Sequence, residues 1–288
     1  MRRTWTKLSF FLASLSALVA ACSAAQNGDA EKPPVVDLGN EGGTPEKDDG
    51  SVADTGRPTA DDAGDAAAAC APSGDILGTL VSGTCCTLKQ KLLAKTPSLD
   101  SNVLVFTAGE TYDRAALSPG GQTLYDAPNA GGSSGESEAI SFEVLRYCEG
   151  ATLLKTETEV LYQPPDDSGP NTITDILVSI DGKKVGVSVT RAYKPPTQTL
   201  TDADVEDLLV RKLEGIKRSS ERVLPADKWV KQILHVFSVN KAATEAVARV
   251  WSALPPSVKA DTIVLVTETA GGGFLYCNPD PPLGTECK

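Results

Sequence analysis

Residues 172–193 read TITDILVSIDGKKVGVSVTRAY. Two apolar, β-rich runs flank Asp181-Gly182, and Asp-Gly between such runs is the strongest short-range hairpin signal, because both turn positions need positive φ. The stretch predicts two antiparallel strands, 172–180 and 184–193. Upstream, ATLLKTETEVLY at 151–162 is β-branched and alternating, which predicts a strand leading into the hairpin. Before it, EAISFEVLRYCEG at 138–150 repeats Ile140, Val144 and Tyr147 at helical spacing, with Ser137 as N-cap and Gly150 as stop. Downstream, Thr201 opens a second helix with Asp204 and Glu206 at its positive end and Val205, Leu208, Leu209, Leu213 and Ile216 on one face. A strand at 232–239, a helix at 242–254 and a strand at 261–267 complete the series. The order is α-β-β-β-α-β-α-β. Short links join the first three strands and helices precede the later ones, so the fold class is α/β, a mixed central sheet flanked by helices on both sides.

The rest of the chain divides by composition. Arg2, Arg3 and Lys7 precede an uncharged, mostly apolar run over 8–21 that ends in Val19-Ala20-Ala21-Cys22. This has the three parts of a secretion signal, and the run is too short to span a bilayer. Residues 23–69 hold 11 Asp/Glu against Lys32, Lys47 and Arg57, with few sizeable apolar side chains. Such a segment cannot bury enough apolar surface to offset its ordering entropy, and is expected to be a disordered acidic tether. The whole chain has a formal net charge of -11, and removing the cationic leader leaves it more acidic still. That balance is a poor default for nucleic-acid binding. The expected organisation is a signal peptide at 1–21, the tether at 22–69, an extension packed on the core at 70–135, the core at 136–270 and a tail at 271–288.

The tetrapeptide ending in Cys22 resembles the bacterial lipobox, which implies cleavage before Cys22 and lipidation of that cysteine. The expected location is the outer membrane, lipid-anchored and facing the periplasm or the surface, as Ser23 suits export past the inner membrane of Gram-negative lipoproteins. Acyl chains at ~0.8 kcal/mol per buried CH₂ make such anchoring stable. Six further cysteines, Cys70, Cys85, Cys86, Cys148, Cys277 and Cys287, fit a disulfide framework in an exported protein. Cys277 and Cys287 bracket a Pro- and Gly-rich tail and are expected to pair. Adjacent Cys85 and Cys86 are expected to take separate partners from Cys70 and Cys148.

The element order, with residues at certain places, resembles the PD-(D/E)XK nuclease superfamily over about residues 131–240, most closely the pattern of archaeal Holliday-junction resolvases. The resemblance implies a restriction-endonuclease-like core. In that family a helix glutamate and an aspartate at the second strand help hold Mg²⁺, and an acid and a lysine on the third strand complete the site. Glu138 and Asp175 stand in the first two places, whereas Ser188 and Thr190 stand where the acid and the lysine belong. Mg²⁺ often binds through one or two carboxylates, so Glu138 and Asp175 alone would make a weak metal site. Thr190 can supply neither a positive charge nor a base, and losing such a group costs ~10²- to 10⁴-fold in rate. Lys155 and Lys212 are the candidates for a displaced lysine, with Arg191 a weaker one.

His235 is the one histidine of the chain, alternates with Ile233 and Phe237 on a strand, and so excludes a His-rich metal site. No G-x-S-x-G elbow occurs. The expectation is an exported, lipid-anchored envelope protein whose nuclease-like core has lost its catalytic machinery and serves binding or structure. It needs no cofactor, and its partners are the membrane, through Cys22, and an envelope or extracellular molecule. The alternative is a metal-dependent nuclease or phosphodiesterase with a displaced lysine, using Mg²⁺ and nucleic acid.

Overall fold

The computed structural model describes residues 72–83, 85–128, 135–164 and 172–276. The expected signal peptide, Cys22, the tether, Cys70 and the Cys277/Cys287 tail lie outside the described residues.

In chain order the elements are β1 (Thr79–Gly83), α1 (Leu88–Lys91), β2 (Ser98–Val105), α2 (Pro119–Asp126), α3 (Gly135–Glu149), β3 (Thr152–Thr156), β4 (Ile176–Ile180), β5 (Lys183–Ala192), α4 (Asp202–Arg222), β6 (Lys231–Ser238), α5 (Lys241–Ala253), α6 (Pro256–Lys259) and β7 (Ile263–Ala270). Apart from the single-turn α6, the stretch from α3 to β7 has the expected α-β-β-β-α-β-α-β order. The strands form one mixed sheet in the order β1-β2-β7-β6-β5-β4-β3. Strands β5, β6, β7 and β2 run parallel, while β1, β4 and β3 pair antiparallel with their neighbours.

The hairpin closes in two residues, with Ile180 opposite Lys183 and Asp181 and Gly182 at φ 51° and 70°. On one side of the sheet, Ile140, Val144 and Leu145 of α3 pack with Val185, Val187 and Ile233. On the other, Leu209 and Leu213 of α4 and Val247 of α5 pack with Leu234, Val236 and Val264. Alternation along β5 and β6 thus sends successive residues to different layers. Helix α4 starts in a capping box between Thr201 and Asp204. The Asp204 carboxyl is held down to about 2 by the Thr201 hydroxyl and N–H and by Lys194.

Three sequence expectations are corrected. The strand expected at 151–162 lasts only from Thr152 to Thr156, because the Glu159 carboxylate takes the Thr156 N–H (2.8 Å) and hydroxyl (3.1 Å) and turns the chain. Ser137 is no N-cap: α3 begins at Gly135, and Ser137 is buried within its first turn. Helix α2 is capped by Ser118, whose Oγ accepts from Gly121 N at 3.2 Å, with Pro119 in the first helical position. The extension at 70–135 is part of the sheet itself, since β2 pairs with β7 from Ser98 opposite Ile263 to Val105 opposite Ala270.

A disulfide joins Cys85 to Cys148, 63 residues apart, and Cys86 is disulfide-bonded as well. Beside them the buried Glu149 carboxylate accepts from Cys86 N (2.7 Å) and Lys89 N (3.3 Å), tying α1 to the end of α3. A closed loop of that length removes about 4 kcal/mol of chain entropy from the unfolded state. Changing Cys85 and Cys148 together to alanine is expected to lower the unfolding free energy by ~2–5 kcal/mol in urea titrations while the native circular dichroism spectrum is kept.

Candidate functional site

The residues that the nuclease resemblance singled out divide between the two sides of the sheet. Asp175 leads into β4 and, by the register that sets Ile176 against Val187, stands opposite Ser188. Its carboxylate accepts the Val189 N–H at 2.5 Å. From α4, the Lys212 ammonium donates to the Val189 carbonyl at 3.0 Å, so an acid and an amine flank a single residue of β5. Burial raises the Asp175 carboxyl above the usual carboxylate range, and the Lys212 charge and the Val189 N–H pull against that rise. Tyr162 lies near, accepting from Thr174 N at 2.8 Å, and burial lifts its phenol to about 12.

Glu138 is placed differently. It is buried in the first turn of α3, the helix packed on the Val185 and Val187 side, while Lys212 belongs to the helix of the opposite layer. Lys155 stands opposite Leu177 of β4, two residues from Asp175, but its ammonium is paired with Asp227 at 2.8 Å. The same Asp227 carboxylate accepts Leu161 N at 2.8 Å. Burial acts to raise Asp227, but Lys155 and this N–H outweigh it and leave the carboxyl below its ordinary range. Ser188 is buried and Thr190 half-buried. Arg191 donates to the Leu275 carbonyl at 3.1 Å.

Of the candidates, therefore, Asp175, Ser188 and Lys212 come together on β4, β5 and α4, Lys155 lies on the adjacent β3 with its charge engaged by Asp227, and Glu138 does not join them. Among the described residues no three His, Cys, Asp or Glu side chains gather as a metal-binding group. The Mg²⁺ that the resemblance implies does not fit these residues: Glu138 and Asp175 belong to opposite layers of the sheet, so their carboxylates do not converge on one ion.

The sequence reading passed over a buried polar bridge. His235 Nδ1 is 2.7 Å from Ser141 Oγ of α3 and Nε2 is 2.7 Å from Thr267 Oγ1 of β7, while the ring stacks on Phe237 at 4.4 Å. Both nitrogens are engaged, one donating and one accepting, and all three residues are fully buried. The bridge pins α3 to the sheet and offers no substrate a path in. A serine inside the apolar face of the helix, at Ser141, was the signal available for it. Glu143 is a second case: buried in α3, it accepts Ser118 N (2.9 Å), Ser118 Oγ (2.5 Å) and Arg146 Nε (2.8 Å). A charge so fully bonded is structural.

Comparison with known proteins adds little to this geometry. No family model matches the chain, and no solved structure matches it. A Dictyostelium discoideum protein described as "AAC-rich mRNA clone AAC4 protein" is 38% identical over 170 residues, which is 56% of this chain and 24% of that protein. The chain thus covers about a quarter of that relative's length. The class that the fold defines is a mixed α/β domain with a helix-covered sheet.

Burial holds the His235 imidazole down to about 3. Its folded value lies below the ~6.5 of an unfolded chain. The linked stability is therefore fully present above ~6.5 and is lost as pH falls toward 3, with a limiting slope of ~1.4 kcal/mol per unit. Urea midpoints measured between pH 7 and pH 4 should fall more steeply for the wild type than for His235→Asn, whose amide can bond one hydroxyl without titrating. Equal slopes would show that His235 does not contribute to acid sensitivity.

Proposed function

We propose that this is an exported protein anchored by lipid on Cys22, whose folded domain serves a binding or structural role at the outer membrane and cleaves no nucleic acid. The observation that carries this reading is the partnering of Asp175: its carboxylate is taken by the Val189 N–H, with Ser188 opposite it and Thr190 two residues on, where a nuclease of the resembled family keeps an acid and a lysine. The separation of Glu138 into the other layer supports it further. The disulfide between Cys85 and Cys148 suits an oxidising compartment outside the cytoplasm. No helix among the described residues is long and apolar enough to cross a membrane, which leaves the anchoring role in this reading to Cys22.

A second reading, a metal-dependent nuclease or phosphodiesterase, is favoured by one observation. Lys212 contacts the same residue of β5 as Asp175 and acts on its charge, so it holds the place that a displaced lysine needs. Lys155, bound to Asp227, does not.

Single-stranded, duplex and branched DNA incubated with the protein in Mg²⁺ or Mn²⁺ should show no cleavage above that of Asp175→Ala. Strong cleavage by the wild type that disappears in both Asp175→Ala and Lys212→Ala would establish the second reading instead. The anchor is tested separately: Cys22→Ser should leave the protein unlipidated and shift it from the detergent phase to the aqueous phase, and wild-type partitioning of the variant would refute lipid attachment there.

A further inference from the structure

A cavity of 540 Å³ opens where β5 and β6 end, between the connection that leads to α4 and the one that leads to α5. Its volume lies within the ~300–1,000 Å³ of small-molecule sites. It lies outside the carboxyl ends of the neighbouring parallel strands β5 and β6.

The walls mix apolar side chains with Gln198, Thr199 and Asn240, and are partly fixed. The Tyr193 ring is braced against Tyr276, with centroids 5.0 Å apart. Leu200 rests on the core beneath α4 and α5, and Val239 stays 36% exposed at the mouth. On the α5 side the lining residues Ala243 and Ala246 carry no atoms beyond Cβ, which is what leaves the space open.

Two cations lie at the rim, Lys194 3.0 Å from Asp204 and Arg249 2.8 Å from Asp202. Exposed pairs of this kind are held by only ~0–1 kcal/mol, so a cation can exchange its aspartate for another anion at small cost. The aspartates keep other support when that happens. Asp204 retains the Thr201 hydroxyl and N–H, and both acids sit in the first turn of α4, where the helix dipole favours negative charge.

We infer that this cavity binds a small aromatic anion, its flat apolar body against Leu200 and the alanine face of α5 and its acid group on Arg249 or Lys194. The site is separate from Asp175 and independent of any cleavage of DNA.

The probe is 8-anilinonaphthalene-1-sulfonate, titrated by fluorescence into the full mature chain. Saturable binding at one site per chain is expected. Ala242→Trp, at an exposed lining position that leaves the core untouched, should weaken it ~tenfold or more by filling the mouth, and Arg249→Glu should weaken it by removing the charge. Circular dichroism of both variants should match the wild type, which separates loss of the site from loss of the fold. A signal that does not saturate, or titrations of both folded variants that overlay the wild type, would overturn the assignment.

Discussion

Strand β6 is buried along its whole length, from Lys231 to Ser238, because α3 covers one side of the sheet and α4 with α5 cover the other. A strand with no wet face can carry a polar side chain only if that side chain is bonded inside the protein, since an unmatched buried group costs ~1–3 kcal/mol. Lys231, His235 and Ser238 of β6 are accordingly structural joints, whereas the Gln232 amide oxygen is buried without a partner. Lys231 reaches the Ala94 carbonyl and lies 3.5 Å from Asp261, with burial lowering its pKa. His235 bridges α3 and β7. Gln232 lies across Gly186 of β5, where a Cβ would stand 2.7 Å from the amide nitrogen, and this close approach accounts for a glycine in mid-strand.

The outer strands face a different constraint, for an edge leaves backbone groups open to pairing with another chain. Both edges are interrupted by an irregularity of register, between Leu80 and Ser82 in β1 and between Leu153 and Lys155 in β3. The residues within those irregularities, Val81 and Leu154, are among the most exposed large apolar side chains of the domain. A bulge bends the strand and breaks its ladder, which makes a poor template for a further strand. Their exposure is thus explained by edge protection and calls for no partner.

Local chemistry was the part of the fold that the sequence disclosed. Asp181-Gly182 could be read because few residue pairs accept positive φ twice, and the start of α4 because a capping box needs Thr201 and Asp204 three residues apart. The role of β2 could not, because nothing local in residues 98–105 reveals a parallel partner at 263–270, more than 150 positions away. The shortness of β3 was hidden for a related reason: the alternation of 151–162 continues past Thr156, and only the reach of Glu159 back to that residue ends the strand. In α3, Glu143 and Glu149 are buried because Ser118, Arg146 and the backbone around Cys86 supply their partners.

The same distinction governs the candidate site. Sequence spacing can place Asp175 opposite Ser188, because hairpin register follows from turn length, and the structure has that pairing. Spacing cannot say which layer a helix joins, and for Glu138 the layer decides the chemistry. A metal site needs its oxygens to converge on one point, and a glutamate beneath the sheet adds nothing to an aspartate engaged with α4 above it. Lys212 was visible in the sequence as one of several cations on a charged helix, and only tertiary packing sets it apart from the others. Placed against the Val189 carbonyl, it offsets the charge of an aspartate that burial disfavours. That compensation is a structural need, since Asp175 is half-buried and its carboxylate has the strand N–H as a bond and the helix amine as a nearby opposite charge.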